Sequence, residues 1–216
     1  MNDEIAKAKA EVNEALTNLR TALQNYRKTA GRPPQFILEK FAPKLRPEGL
    51  TESRVFASRE DMMAALVSGG MGGEVGVQRG DFSRFLLDSI RPEKLHLFDL
   101  SDRWLRADIR DDPRCELHLG DSANQLRRQP NQSFDWLYID GDHSYKGVRR
   151  DARAALQKIK PGGTIIFNDY TIWSPGEAIP YGVIPCVNEL IEDGLDMMGV
   201  ALTRTGYFDV ALRAPG

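Results

Sequence analysis

The chain has 216 residues, of which 41% are hydrophobic and 28% are charged, and its formal net charge is −2. These values exclude disordered, collagen-like and disulfide-rich chains, and the small net charge gives no general attraction to nucleic acid. No apolar run approaches the ~20 residues of a membrane span, and from the polar segment MNDEIAKAKA we expect no secretory signal. The only two cysteines, Cys115 and Cys186, lie far apart. We therefore expect the two cysteines to form neither a disulfide framework nor a zinc site, and we expect a reduced cytoplasmic setting.

An amphipathic helix is predicted over residues 4–27, because apolar side chains recur at steps of three and four. The stripe consists of Val12, Leu16, Leu19, Leu23 and Tyr26. The segment Gly31 to Pro34 breaks the helix. We assign residues 1–50 to an N-terminal helical extension and residues 51–216 to the main domain. The stripe allows packing on that domain, capping of a substrate pocket, or dimerisation into a homo-oligomer, and amphipathicity alone does not choose among them.

The main domain opens with a capping box at Ser58 and Asp61, with Asp in place of the usual Glu or Gln, so a helix follows up to Gly69. Strands then alternate with helices. Strands are predicted at residues 74–77, 94–100, 115–119, 134–139, 164–167, 197–202 and 208–212, and helices at 82–89, 122–128, 145–159 and 187–192. This alternation predicts an α/β fold with a mostly parallel sheet and helices on both faces. Only a tight turn separates the last two strands, so their pairing is predicted to be antiparallel.

The first candidate site is the glycine turn after the first strand. Gly76 and Gly80 lie where that strand turns into a helix, and glycine lets the backbone approach a ligand closely. The spacing is not the G-x-G-x-x-G of dinucleotide sites, and Gln78 occupies a place where glycine is common. A ligand without phosphates therefore suits this turn, and Glu74 suits a cationic amino-acid group.

Acidic residues also lie at the carboxyl ends of the next two strands. Asp99 ends the second strand, where a carboxylate can accept both hydroxyls of a ribose. Asp121 and Ser122 follow the third strand and are placed to hydrogen-bond an adenine amine. The alternatives are a surface aspartate beside a tight turn at 99 and a helix N-cap at 121, and the capping role is compatible with ligand binding.

An acidic cluster follows the fourth and fifth strands, whose ends are expected to be neighbours. A divalent cation would offset the repulsion between its carboxylates. The oxygen ligands Asp140, Asn168 and Asp169 would select magnesium. Asp142 or His143 would then act as general base toward a substrate hydroxyl. The alternatives are a helix cap at Asp142 or Ser144 and a solvated His143.

Taken together, these segments resemble the small class I methyltransferases, and most closely the family of macrolide-sugar and aminocoumarin-sugar O-methyltransferases. The resemblance covers roughly residues 55–212. It is carried by the segments EVGVQRGDFS, LFDLSD, GDSANQL, FDWLYIDGDHSYKGVRRD and KPGGTIIFNDY.

The resemblance implies a Rossmann-like seven-stranded sheet with the last strand antiparallel. It also implies S-adenosylmethionine at the Glu74, Gly76, Gly80, Asp99, Asp121 and Ser122 positions. Asp140 and the pair Asn168 and Asp169 resemble the family's magnesium ligands, and Asp142 or His143 resembles its base. The sugar enzymes carry an acid at the position of Asn168, so metal binding should be weaker here.

The expected reaction is methyl transfer to a hydroxyl of a small molecule. Residues 170–185 are expected to form a substrate loop, in which Trp173 and Tyr181 either stack on the acceptor or are buried against the N-terminal helix. The alternatives are an NAD(P)-dependent oxidoreductase, disfavoured by the glycine spacing, and a non-catalytic nucleoside-binding protein. Nucleic acid and membranes are not expected partners.

Overall fold

A computed structural model describes residues 2–31 and 40–216 of the chain. The chain divides into two compact units, residues 1–38 and residues 39–216. The first contains one long helix, α1 (Asn2–Ala30). Its first turn carries acidic residues and its last turn basic residues, and both interact favourably with the helix dipole. Residues 32–34 of the predicted helix breaker lie outside the described residues. The domain boundary after residue 50 and the role of the apolar stripe stay predictions.

The second unit contains a 3₁₀ turn at Pro47–Leu50 and six further helices in chain order, with one π-helical turn at Leu86–Ile90. The helices are α2 (Arg59–Leu66), α3 (Asp81–Phe85), α4 (Ala107–Arg110), α5 (Ser122–Arg128), α6 (Tyr145–Lys158) and α7 (Val183–Glu192). The Ser58 half of the predicted capping box is confirmed, since the Ser58 hydroxyl caps α2 by accepting a hydrogen bond from the Asp61 N–H at 3.0 Å. Among the described residues, no helix combines the length and apolar character needed to cross a membrane.

Within residues 40–216, ten strands form one large sheet and one small hairpin. They are β1 (Arg54–Phe56), β2 (Met71–Val75), β3 (Lys94–Asp99), β4 (Cys115–Leu119), β5 (Phe134–Ile139), β6 (Ile159–Phe167), β7 (Trp173–Ser174), β8 (Ile179–Pro180), β9 (Asp196–Ala201) and β10 (Asp209–Arg213). The large sheet has the order β1-β9-β10-β6-β5-β2-β3-β4. Only β10 runs antiparallel to its neighbours, β6 and β9. The predicted mostly parallel sheet with an antiparallel last strand is therefore confirmed.

The predicted strand number of seven is wrong by one, because Arg54–Phe56 adds an eighth strand parallel to β9 at one edge. Three residues are too few for a strand pattern to be recognised. The first predicted strand is also displaced: it begins at Met71 and ends at Val75. Its two glycines carry no apolar side chain, although both are buried.

Helices cover both faces of the large sheet. On one face α5, α6 and α7 pack on residues that include Phe98, Phe134 and Phe167. On the other face α2, α3 and α4 pack on Leu95, Leu97 and their neighbours. Because β2, β3, β4, β5 and β6 are parallel, their carboxyl ends lie at one edge of the sheet. That edge collects the loops that carry the candidate site.

Candidate functional site

The glycine turn joins β2 to α3 and has the backbone that its sequence predicts. Gly76 and Gly80 have φ angles of +82° and +79°, in the region that favours glycine. A Cβ on Gly76 would also collide with the carbonyl oxygen of Asp140. The first glycine is therefore required by the close approach of the β5 end, in addition to any ligand.

Asp99, at the end of β3, holds this turn in place. Its Oδ2 accepts hydrogen bonds from the backbone N–H groups of Val77 and Gln78, both at 2.8 Å. Its Oδ1 has a single longer contact, from the Ser101 N–H at 3.2 Å. One carboxylate oxygen thus fixes the turn, and the other retains lone pairs toward the cavity that Asp99 lines.

Two cavities meet at the turn. The larger measures about 530 Å³ and runs past Gly76, Asp99, Asp121 and His143. The second, about 470 Å³, lies on the other side of the turn and is lined by Glu74, Gly76 and Arg59 among others. Gly76, Asp99, Asp140, Gly141, His143 and Glu177 line both. Together they form one elongated cleft at the carboxyl edge of the sheet, of the size that holds a small ligand.

Asp121 and Ser122 line the larger cavity, as predicted, and both also have partners within the chain. Asp121 caps α5 through the Asn124 N–H at 3.0 Å and pairs with Arg150 at 2.6 Å. The Ser122 hydroxyl donates to Asp151 at 2.6 Å. The capping alternative is therefore confirmed for Asp121, and it leaves both residues at the cavity wall.

Glu74 is buried at the floor of the second cavity. The Ser83 hydroxyl donates to its carboxyl group at 2.5 Å. Burial raises the pKa of Glu74 to about 8, and the nearby Asp140 and Asp99 add to the rise, whereas the Ser83 hydrogen bond opposes it. A cationic ligand group in this cavity would favour the ionised form of Glu74.

His143 lies between two of the predicted acids. Its Nε2 is 3.4 Å from Asp140 Oδ1 and 3.9 Å from Asp169 Oδ2. That nitrogen is buried and makes no geometrically sound hydrogen bond within the described residues. Burial alone would lower the pKa of His143, but Asp140 and then Asp169 outweigh it, and the net pKa is raised. The imidazole is thus a proton-accepting group whose cationic form two carboxylates stabilise.

Asp142 is exposed, and its carboxylate is turned toward the start of α6. It accepts a hydrogen bond from the Ser144 N–H at 2.9 Å, and a Cβ on Gly147 would collide with it. Ser144 is the N-cap of α6. The capping alternative is therefore confirmed for Ser144, whereas Asp142 accepts only from the N–H of that cap residue and lines the larger cavity.

Asn168 belongs to a buried polar network behind the cleft. Its Nδ2 donates to the Tyr138 hydroxyl and to Asp209 Oδ1, both at 3.1 Å, while Tyr138 donates to Asp209 Oδ2 at 2.7 Å. An ionised acid at position 168 could not donate to Asp209 and would repel it. This network gives a physical reason for asparagine at that position.

The predicted magnesium ligands are divided among three cavities. Asn168 and Asp169 line a third cavity of about 470 Å³, whereas Asp140 lines the first two. The His143 nitrogen lies between the two carboxylates, where a cation would neutralise them. The arrangement does not fit the predicted metal site, and magnesium binding is left as an expectation from sequence.

The predicted substrate loop folds against this histidine. The Tyr181 ring is buried and stacks on the imidazole of His143, with centroids 4.6 Å apart. The Gly182 N–H donates to the His143 carbonyl at 2.8 Å. Glu177 and Ile179 of the same loop line the larger cavity, and Trp173 is half-buried in β7. Tyr181 therefore supports His143 directly.

Sequence reasoning missed Arg59 and Asp151. Arg59 begins α2, lines the second and third cavities, and donates to the Tyr138 hydroxyl at 3.1 Å. Nothing in its local sequence marks it, because the contact spans 79 positions of the chain. Asp151 is buried, and burial raises its pKa to about 6. A charged residue inside the apolar stripe of α6 was a usable signal for it.

Part of the chain is similar in sequence to known proteins. Residues 74–170 match the family model described as a methyltransferase domain. An uncharacterized protein, R132, of Acanthamoeba polyphaga mimivirus is 39% identical over 66 residues, which are 30% of this chain and 27% of that protein. The matched part thus spans only about a quarter of that relative's length.

Two solved structures have a similar fold. An rRNA methylase from Streptococcus thermophilus has a TM-score of 0.55 at 15% identity, over 73% of this chain and 94% of that chain. Haemonchus contortus phosphoethanolamine N-methyltransferase 2, in complex with S-adenosyl-L-methionine, has a TM-score of 0.53 at 14% identity. The match covers 69% of this chain and 50% of that chain. At such identities the likeness shows the fold alone. Together with the matched domain, it supports a methyltransferase.

Proposed function

We propose that this chain transfers the methyl group of S-adenosylmethionine to a hydroxyl oxygen of a small molecule, with His143 as the base. The observation that carries the proposal is the position of the buried His143 nitrogen at the cleft, between Asp140 and Asp169 and next to the glycine turn. The sugar or natural-product character of the acceptor follows from the sequence resemblance and is part of the proposal.

The cleft offers a suitable group for each part of the cofactor. Asp99 Oδ1 would accept the ribose hydroxyls, and the Asp121 and Ser122 end of the cavity would hold the adenine. Glu74 and Arg59 lie on the second cavity, so an acid and a base face the place where an α-amino acid group would sit. Arg59 would bind the carboxylate and Glu74 the ammonium of the methionine part.

S-adenosylmethionine supplies an electrophilic methyl group on a sulfonium, and the chain has to align the acceptor oxygen and take its proton. His143 would accept the hydroxyl proton as the new carbon–oxygen bond forms and the sulfur–carbon bond breaks. The products are then a methyl ether and S-adenosylhomocysteine, and the proton leaves His143 for solvent. Asp140 and Asp169 stabilise the imidazolium that forms on the way.

Calorimetry with S-adenosylhomocysteine and with NAD tests the first step of this proposal. We expect S-adenosylhomocysteine to bind with one site per chain and NAD not to bind. Binding of NAD alone would favour the oxidoreductase alternative instead.

Product analysis with labelled S-adenosylmethionine tests the acceptor. We expect label in hydroxylated metabolites and none in an amine or an RNA fragment offered in parallel. Cofactor binding without transfer to any acceptor class would favour the non-catalytic alternative, and labelled amine or RNA alone would contradict the hydroxyl acceptor.

A further inference from the structure

A second cluster of metal-ligating side chains lies on β3 and β4, away from the cleft. It consists of His96, Glu116 and His118, and one donor atom from each lies within 4.8 Å of the other two. Among the residues that the structure describes, this is the only group of three or more His, Cys, Asp or Glu that meets that limit. None of the three lines the cavities of the cleft.

Strand register explains why the three side chains meet. His96 is opposite Glu116, and Phe98 is opposite His118, in the parallel pair of β3 and β4. Residues two apart in a strand share a face, so the histidines and the glutamate are on the same side of the sheet. The His96 and His118 rings are nearly parallel, with an interplanar angle of 4°.

Each donor atom is oriented by a partner of its own. His96 Nε2 faces the Met71 sulfur at 3.1 Å, which leaves His96 Nδ1 to face His118 Nε2 at 2.8 Å. Glu116 Oε1 lies 3.5 Å from the same His118 nitrogen, whereas its Oε2 faces Lys94 at 3.6 Å. Two imidazole nitrogens and one carboxylate oxygen therefore lie close together at one place on the sheet.

We propose that His96, Glu116 and His118 bind a divalent transition-metal ion such as Zn²⁺ at this point. Two imidazoles and a carboxylate are a ligand set that zinc takes, with a fourth position for water on the exposed Glu116 side. In a tetrahedral zinc site the two nitrogens are about 3.3 Å apart, so the imidazole pair has to open by about 0.5 Å.

A bound metal would replace the hydrogen bond between the two imidazoles. His118, bound through Nε2, would then carry its proton on Nδ1. Gln129 Nε2 lies 3.5 Å from that nitrogen, and an amide flip would present its oxygen as the acceptor. The bound ion would fasten the edge strand β4 to β3, below the strand ends that carry Asp99 and Asp121.

The test uses the full chain without a polyhistidine tag, titrated with Zn²⁺ in a calorimeter. We expect one ion per chain, and an affinity at least about tenfold weaker in Glu116→Gln and in His118→Gln. Glu116 is exposed, so its variant should fold normally. The matched control is His143→Gln, which removes the third and last histidine of the chain and should leave zinc binding unchanged.

The thermal unfolding midpoint gives a second readout. Zn²⁺ should raise it in the parent chain and in His143→Gln, but much less in Glu116→Gln. No binding to the parent chain, or equal affinity in the parent and both ligand variants, would overturn the proposal. So would a loss of binding in His143→Gln alone, because it would place the ion at the cleft.

Discussion

Asp99 has two functions that a single substitution can reveal. It holds the glycine turn through Oδ2, and it faces the cavity through Oδ1. We predict that Asp99→Ala weakens S-adenosylhomocysteine binding by roughly 10- to 100-fold, as expected for loss of hydrogen bonds to a charged group. Calorimetry measures this, with Asp102→Ala as the neighbouring control. Equal affinity in the parent chain and Asp99→Ala would refute the ribose assignment.

Asp142 and His143 are adjacent in the chain but differ in environment, so substitutions should distinguish their contributions to turnover. We predict that His143→Gln lowers turnover by roughly 10²-fold or more, with cofactor affinity kept, because a general base contributes about that much. Asp142→Asn should have a smaller effect, since Asp142 is exposed and bonded to Ser144. Methyl-transfer rates measure both, and full activity in both variants would end the base hypothesis.

The pH dependence of turnover is a further property of His143. In the proposed reaction its neutral form acts as the base, and its pKa is raised by Asp140 and Asp169 against the effect of burial. Turnover should therefore rise with pH across the neutral range. The His143→Gln variant should lose this rise, and a parent chain with a flat profile would contradict the assignment.

At the scale of elements, the close packing of the β2–α3 turn can be tested by substituting Gly76. Gly162, which has a similar positive φ, is the control. Gly76 and Gly162 both have positive φ, but only at Gly76 would a Cβ meet the backbone of another segment. We predict that Gly162→Ala costs about 1 kcal/mol of stability, whereas Gly76→Ala costs more and abolishes cofactor binding. Urea unfolding and calorimetry measure the two effects. Equal losses in both variants would show that the approach of Asp140 is unimportant.

Elements with a strong periodic pattern were predictable from the sequence. The helix predicted at 145–159 corresponds to α6, and Val148, Ala152 and Ala155 on one of its faces are buried. The start of α7 was predicted too late, at residue 187, because residues 170–185, up to Pro185, were assigned to the substrate loop. Proline is tolerated in the first turn of a helix, where no backbone donor is lost, and α7 begins at Val183.

The candidate site was predictable where it depends on strand ends, and not where it depends on contacts across the sheet. Asp99, Asp121 and Asp140 could be found because a carboxyl end of a parallel strand is a known position for ligand groups. Asp209 could not, because it follows a turn and meets Tyr138 only through the order of the strands. The sequence therefore predicts the edge that holds the site better than the network beneath it.

For the whole molecule, buried acids determine how stability depends on pH. The pKa of Glu74 is about 8 in the folded chain against an ordinary 4.5, so the folded chain keeps a proton that the unfolded chain loses. The stabilisation of the folded chain by protonated Glu74 is fully present below pH 4.5 and is lost as the pH rises to 8. His143, whose pKa is raised above 6.5, acts in the same direction. His96, whose pKa burial lowers to about 4, acts oppositely but only below pH 6.5.

We predict that the free energy of unfolding falls by roughly 1–2 kcal/mol between pH 6.5 and pH 8. Urea unfolding at the two pH values measures it. Glu74→Gln should remove most of the fall, because an amide keeps the acceptor for Ser83 and does not ionise. Asp81→Asn, which changes an exposed acid near the same cavity, should leave the fall unchanged. A constant free energy in the parent chain would contradict the assignment.

Because Tyr181 stacks on His143, sequence changes in the loop of residues 170–185 also affect the proposed base. A change in the loop sequence that suits a new acceptor also alters the aromatic surface against which the imidazole lies. Exchange of this loop between related enzymes should therefore alter the pH optimum along with the range of acceptors. Lineages that acquire a new acceptor would be expected to change both segments together.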